Sequence, residues 1–477
     1  MKPFSFESTF ESKESGARLG VIHTPHGDIE TPAFVPCGTQ ASVKSLTPEE
    51  VKDLGTHLYF VNTYHMYLRP GIEVIKKMGG LHNFMHWDRP LITDSGGFQV
   101  FSLAKTAPGR HTFSSTVVTQ DLPAGSSSVP GYWTTVDRPA ALVLRSRRRR
   151  RITRNSLSVG GYAETSMPTS GDKDTEPESK KPQLVKISDD GVEFRSHWDG
   201  SKHIFTPESS MGWQWDLGAD IHIAFDDCTP YPVTHEKAQA SLDRTHAWAV
   251  RSLKAHRKLS FRPPSRNLEK ITWIPGQARD DKGSPYQALY GSVQGSVYED
   301  LRKKSARFIS RMDFDGFAIG GVSVGESKKE MESAMNWVVP LLPNDKPRHL
   351  LGVGEVDDIF ALVAAGIDTF DCVQPTRLAR MGWLLVRPEV SPTFTYDITK
   401  AVNAADVRAV DVSCTCYTCR TFTKAYVHHL FHVRELLGYR LATIHNIHFM
   451  HALVLEIRDA IKRNQFLDLR RRWLYNR

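Results

Sequence analysis

His349-Leu-Leu-Gly-Val-Gly-Glu355, then Val356-Asp-Asp-Ile-Phe-Ala-Leu-Val-Ala-Ala365, then Ile367-Asp-Thr-Phe-Asp-Cys-Val-Gln374 read in one pass as strand, helix and strand. The outer runs are short, apolar and bounded by glycine or polar residues, and the middle one has helical periodicity. A helix between two buried strands makes them parallel neighbours in one sheet. Similar runs occur at His57–His65, Leu91–Gln99, Ile221–Cys228, Gln287–Gln294 and Phe314–Gly325, with helix-length segments between many of them. Asp94, Asp226, Gln294, Glu355 and Asp371 stand where these strands run out. An open doubly wound sheet would also gather residues there, but the glycine-rich dinucleotide turn expected early in such a chain is missing. The pattern therefore predicts an α/β fold, a (β/α)8 TIM barrel with its chemistry on the C-terminal rim.

The chain has 477 residues, 40% apolar and 10% aromatic, enough for a sizeable core. No window offers the ~18 uninterrupted apolar residues of a membrane span, and the start, Met-Lys-Pro-Phe-Ser-Phe-Glu, lacks a secretory stretch, so a cytoplasmic protein without a membrane role is expected. Lys plus Arg (61) less Asp plus Glu (53) leaves +8. Residues 106–183 hold 12 basic and 7 acidic side chains, so +5 of that charge lies in one segment and the balance names no partner. That segment, rich in Ser, Thr, Pro and Gly and carrying the run Arg147–Arg151, reads as a long, solvated, disordered insertion, the arginines otherwise serving a phosphate backbone. Pro263–Pro285 reads as a second elongated loop.

Three of the six cysteines, Cys414, Cys416 and Cys419, fall within six positions. Three thiolates on one turn supply most of a tetrahedral zinc shell, which one imidazole would close, whereas free thiols so crowded among polar residues are a poor alternative. His428, His429, His432, His445, His448 and His451 all follow, and spacing does not choose among them. A closed shell makes the zinc structural and puts the chemistry elsewhere.

Asp94-Ser95-Gly96-Gly97-Phe98-Gln99 ends a strand with two glycines that let a backbone approach a flat ligand, an aromatic stacking face and a possible acid or base. A strand-ending turn with a capping Asp is the plainer reading. Asp371, set in Phe370-Asp371-Cys372-Val373, is a carboxylate among apolar neighbours, suited to attack an anomeric carbon. Two such aspartates equally fit a metal-dependent hydrolase.

Taken together, Thr93–Phe101, Phe225-Asp226-Asp227-Cys228-Thr229-Pro230-Tyr231, Gln294-Gly295-Ser296, Gly320-Gly321, Phe370–Val373 and the cysteine cluster resemble the tRNA-guanine transglycosylases over about residues 10–105 and 184–477, in the family's order. The resemblance implies a barrel with a C-terminal zinc-binding subdomain, and exchange of the anticodon wobble guanine of tRNA for a 7-deazaguanine base in queuosine biosynthesis. By that resemblance Asp371 is the nucleophile on ribose C1′ and Asp94 the general acid/base. Ser95, Gly96, Gly97, Phe98, Asp226, Gln294, Gly321 and Leu351 form the base pocket, with Asp226 accepting from the guanine donors and Phe98 and Leu351 sandwiching the ring. Gly352, Val353, Gly354, Glu355, Val356, Asp357 and Asp358, with Thr376, Arg377, Leu378, Ala379 and Arg380, match the stretches that meet RNA. Family spacing selects His445 as the fourth ligand of one structural Zn2+ ion.

The resemblance also implies a homodimer. Cys228 and Val324 look bacterial, which implies 7-aminomethyl-7-deazaguanine as the incoming base, and an end at Arg477 leaves no room for the RNA-binding domains of archaeal relatives. Expected segments are residues 1–105 (first part of the barrel), 106–183 (insertion), 184–413 (rest of the barrel) and 414–477 (zinc subdomain and terminal helices). The alternatives are a noncatalytic RNA-binding subunit of the same family, an enzyme obstructed by its insertion, and a zinc-dependent barrel hydrolase.

Overall fold

Strands of only three to six residues cannot bury both faces alone, and here they do so by closing into a ring. The computed structural model describes residues 4–103, 185–260 and 286–475. The ring is built from β1 (Ala33–Pro36), β2 (Tyr59–Val61), β3 (Leu91–Thr93), β4 (Ile221–Ile223), β5 (Ala288–Val293), β6 (Gly316–Ile319), β7 (Arg348–Leu350) and β8 (Thr369–Cys372). Each pairs in parallel with the next, and β8 returns to β1. A parallel bridge between Cys37 and Phe60, with the Gly38 N–H donating to the Phe60 carbonyl at 2.8 Å, joins β1 to β2 and completes the barrel. The sequence runs coincide with β2 to β8. β1 escaped them because Ala33-Phe-Val-Pro36 is too short, and too soon cut by proline, to give a pattern.

The alternation of side chains makes two cores. Val35, Phe60, Ile92, Ile221, Ile223, Ala288, Tyr290 and Ala318 fill the interior, joined by Ile22 and Ile29 of the N-terminal antiparallel sheet and by Phe4 just before its first strand. Phe34, Leu91, Leu289, Phe317, Leu350 and Phe370 face the helices instead. Helix Val356–Ala365 occupies the span its periodicity predicts, buries Ile359, Phe360, Leu362 and Val363, and stops at Gly366 in the left-handed region (φ 92°). The barrel reading therefore holds.

Beyond β8 the chain forms helix Gln374–Arg380, the hairpin Trp383–Leu385 with Thr395–Asp397, and the long helix Leu436–Lys462. Buried Asn446 ties them together: its Oδ1 accepts from Leu385 N–H at 2.8 Å, and its Nδ2 donates to the carbonyls of Pro375 and Trp383 at 2.9 and 3.0 Å. Among the described residues, no helix is long and apolar enough to cross a membrane. The stretches 106–183 and Pro263–Pro285 lie outside the described residues.

At the N-terminal end of the barrel, Arg18 grips Asp368 through Nε and Nη2 at 2.8 and 2.6 Å, both side chains being buried, and donates through Nη1 to the Asn344 carbonyl at 2.7 Å. Removing one partner of a buried pair strands the other charge. Arg18→Met should lower the free energy of unfolding in a denaturant titration by about 3–5 kcal/mol; a loss below ~1 kcal/mol would mean the pair is not a clamp.

Candidate active site

The rim begins at Asp94, one residue past β3. Its Oδ1 accepts from Thr63 N–H at 2.8 Å, its Oδ2 from the Asn62 amide, and its carbonyl from Thr63 Oγ at 2.7 Å. Asn62 also caps helix Thr63–Leu68, its Oδ1 accepting from His65 N–H at 3.1 Å, so the helix start and the carboxylate are anchored together. Burial pushes the Asp94 carboxyl up to about 7; the neighbouring Asp371 and Asp226 charges add to this, while the Thr63 and Gly96 amides oppose it.

Asp94 is packed onto the Asp226 segment, three residues past β4. A Cβ at Gly97 would sit 2.9 Å from the Asp226 carbonyl oxygen, so only glycine lets the two turns meet. Ser95 Oγ donates to Asp226 Oδ1 at 3.2 Å, and Gln294, the first residue after β5, donates from Nε2 to Asp226 Oδ2 at 2.6 Å. Burial raises Asp226 to about 6 against those two hydrogen bonds. The Gln294 amide in turn lies on Gly320-Gly321 just past β6: a Cβ on either glycine would come within 2.6 Å of it. Leu351 follows β7, within reach of Gly320. Phe98 is 45% exposed on helix Gly97–Leu103, an aromatic face open to a partner. Cys228 is buried and Val324 half-buried.

Asp371 lies within β8, and two donors orient its Oδ1: the Gly352 N–H at 3.1 Å and His349 Nε2 at 3.2 Å. His349 is wholly buried, and its Nδ1 pairs with Thr369 Oγ at 2.9 Å; with the hydroxyl as donor there, the Nε2–H faces the carboxylate. Among the described residues, Oδ2 has only the Cys37 thiol as a hydrogen-bond partner, at 3.3 Å. Burial, reinforced by the adjacent Asp371 charge, raises the Cys37 thiol well above its usual range. One barrel rim thus collects Asp94, Asp226, Gln294, Gly321, Leu351 and Asp371 from six strand ends.

The two stretches expected to meet RNA flank Asp371. Gly352-Val353-Gly354 leads from β7 into helix Val356–Ala365, while Thr376, Arg377, Leu378, Ala379 and Arg380 form the helix after β8. Arg380 donates to the Thr376 carbonyl at 2.7 Å. Lys328 pairs with the partly exposed carboxylates of Glu355 and Asp357 and with buried Asp358, at 2.6, 2.7 and 3.0 Å. Asn62, Thr63, His349 and Cys37 are the positioning groups that sequence reading passed over. For His349 a signal existed, an imidazole opening a buried strand run; for Asn62 and Thr63 none did.

Near the C-terminus, ligand atoms of Cys414, Cys416, Cys419 and His445 all lie within 4.8 Å of one another. His445 Nδ1 stands 3.7, 3.5 and 3.3 Å from the three sulfurs in that order. A tetrahedral zinc with usual bond lengths separates such atoms by about 3.6 Å, so the set fits the ion. His445 Nε2 donates to the Leu385 carbonyl at 2.7 Å, which leaves the Nδ1 lone pair facing the sulfurs. That settles the choice among six histidines; His448, 3.8 Å from Cys414 alone, is peripheral. Four protein ligands leave no open position for water, which removes the support for a zinc hydrolase.

The family model described as Queuine tRNA-ribosyltransferase matches residues 12–122 and 162–477, a gap narrower than the stretch 106–183. Relatives named queuine tRNA-ribosyltransferase include those of Desulforudis audaxviator, 40% identical over 469 residues (98% of this chain, 97% of the relative), and Pelotomaculum thermopropionicum, 40% over 466 (98% and 96%). That of Roseiflexus sp. strain RS-1 is 40% identical over 475 residues (98% and 99%).

Loss of one thiolate should open the zinc shell. Cys416→Ser is expected to retain well under half of the zinc of the unmodified protein by elemental analysis and to unfold at lower temperature; unchanged metal content would remove Cys416 from the ligand set.

Proposed function

The chain belongs to the queuine tRNA-ribosyltransferase family and is a tRNA-guanine transglycosylase of queuosine biosynthesis, and on that premise we propose how its rim residues carry out the exchange. The observation that carries the reading is the pairing of two differently prepared carboxylates: Asp371, oriented by His349 and the Gly352 N–H, and Asp94, raised to about 7 by burial. In the first half-reaction an Asp371 oxygen bonds to ribose C1′ of the wobble nucleotide as the C1′–N9 bond breaks. Oδ2, which among the described residues meets only a weak thiol donor, keeps the more available lone pairs for that attack. Asp94 gives its proton to the departing guanine. In the second, Asp94 takes the N9 proton of the incoming base, whose nitrogen attacks C1′ and releases Asp371. Two displacements at one carbon retain its configuration.

Guanine offers N1–H and the exocyclic amine on one side and O6 on the other. Asp226 accepts from the donors, while Gln294 and the Gly321 N–H serve O6, so the base takes its place by parting the Gln294–Asp226 hydrogen bond. Phe98 and Leu351 cover the ring. Arg377 and Arg380, with the backbone of Gly352–Gly354, meet the nucleotides beside the wobble position of tRNA. The incoming base is 7-aminomethyl-7-deazaguanine, a reading that rests on the bacterial pattern of Cys228 and Val324. Zinc held by Cys414, Cys416, Cys419 and His445 supplies a structural crosslink to the C-terminal region. The enzyme works as a homodimer in the cytoplasm, a reading that rests on the family.

Asp371→Asn should abolish the covalent tRNA adduct and guanine exchange while leaving zinc content and folding unchanged; an adduct in that variant would remove Asp371 as nucleophile. Because Asp94 must be protonated to release guanine, single-turnover adduct formation should fall as pH rises through about 7, approaching tenfold per unit. A flat profile from pH 6 to 9 would count against Asp94 as the acid.

A further inference from the structure

Helix Glu299–Ser310 follows the Gln294 turn and buries Arg302 completely. Among the described residues its guanidinium donates only to carbonyls: Nε to Ser296 at 2.6 Å, Nη1 to Gly320 at 2.8 Å and Val293 at 3.3 Å, and Nη2 to Gly321 at 2.6 Å. These oxygens belong to the two turns that carry Gln294 and Gly321. No carboxylate among the described residues forms an ion pair with it. Burying a cation on carbonyl dipoles, with the Glu326 charge as its added electrostatic support, is costly, and its position behind two pocket turns calls for a role beyond filling space.

The Gly320 carbonyl and the Gly321 N–H share one peptide plane, and in a trans unit they point in opposite directions. Holding the carbonyl on Arg302 therefore turns the N–H away from the guanidinium. A Cβ at Gly321, whose φ is +63°, would lie 2.5 Å from Gln294 Oε1 and 3.6 Å from Arg302 Nη2, which puts this residue between the cation and the Gln294 amide. We propose that Arg302 is a positioning residue for base recognition: it aims the Gly321 N–H at the 6-oxo group and polarises that peptide, strengthening a donor to the oxygen that gains negative charge as guanine leaves. The proposal rests on the assignment of Gln294 and Gly321 to the acceptor side of the base.

The test compares guanine with 6-thioguanine, which keeps both donors but carries a weaker acceptor. Unmodified enzyme should prefer guanine by about tenfold in KM. In Arg302→Lys the preference should shrink to about twofold or less through a higher KM for guanine, with KM for tRNA and zinc content unchanged. A folded Arg302→Lys enzyme that keeps the full preference overturns the role of Arg302 alone, whereas an unmodified enzyme without any preference overturns the pocket assignment beneath it. Should the variant not fold, the Gly321 amide proton of the unmodified protein decides by NMR: it should move downfield with guanine and less with 6-thioguanine, and no movement overturns the proposal.

Discussion

The parallel bridge between Cys37 and Phe60 is the contact on which the rest of the architecture depends. Seven pairings make an open sheet; this eighth turns it into a ring in which every strand end faces the same way. Without closure, Asp371 on β8 and the Asn62 that anchors Asp94 after β2 would sit near opposite edges of a sheet. With it, β1 lies between them, and the Cys37 thiol touches the Asp371 carboxylate itself. Closure and catalytic geometry share the same few residues.

The same burial that makes the rim sets its chemistry. Three carboxylates gathered in one desolvated pocket cannot all ionise cheaply, and the hydrogen bonds distribute the cost. Asp94 keeps a proton near neutrality, Asp226 rises less because Gln294 and Ser95 oppose its burial, and Asp371 is oriented by His349 and the Gly352 N–H. The cations nearby are placed differently. Arg302 stands behind the peptide of Gly320-Gly321, Lys328 is engaged with Glu355, Asp357 and Asp358, and Arg377 and Arg380 lie on the helix after β8. Acid, nucleophile and base-binding groups thus differ by what surrounds each carboxylate.

Much of this was legible in the chain. The strand runs, helix Val356–Ala365 and the polar residues at strand ends carried the barrel, and the cysteine spacing carried the metal. β1 was not legible, because four residues ending in proline have no period. Asn62, Thr63 and Cys37 look like ordinary loop and strand residues until the fold brings them within hydrogen-bonding distance of Asp94 and Asp371. Glu355, Asp357 and Asp358 show another contact hidden by chain order: their carboxylates pair with a lysine 27 to 30 positions earlier in the chain (355 less 328, 358 less 328).

By itself the sequence determined the alternation of strands and helices, the residues ending each strand, and three thiolates on one turn, because periodicity, glycine placement and ligand spacing are local properties. Only the tertiary structure decided which histidine completes the metal shell, which donors orient Asp371, and how far Asp94 rises. Those outcomes depend on the distance between groups far apart in the chain and on the water excluded around them, and neither quantity exists until the ring has closed.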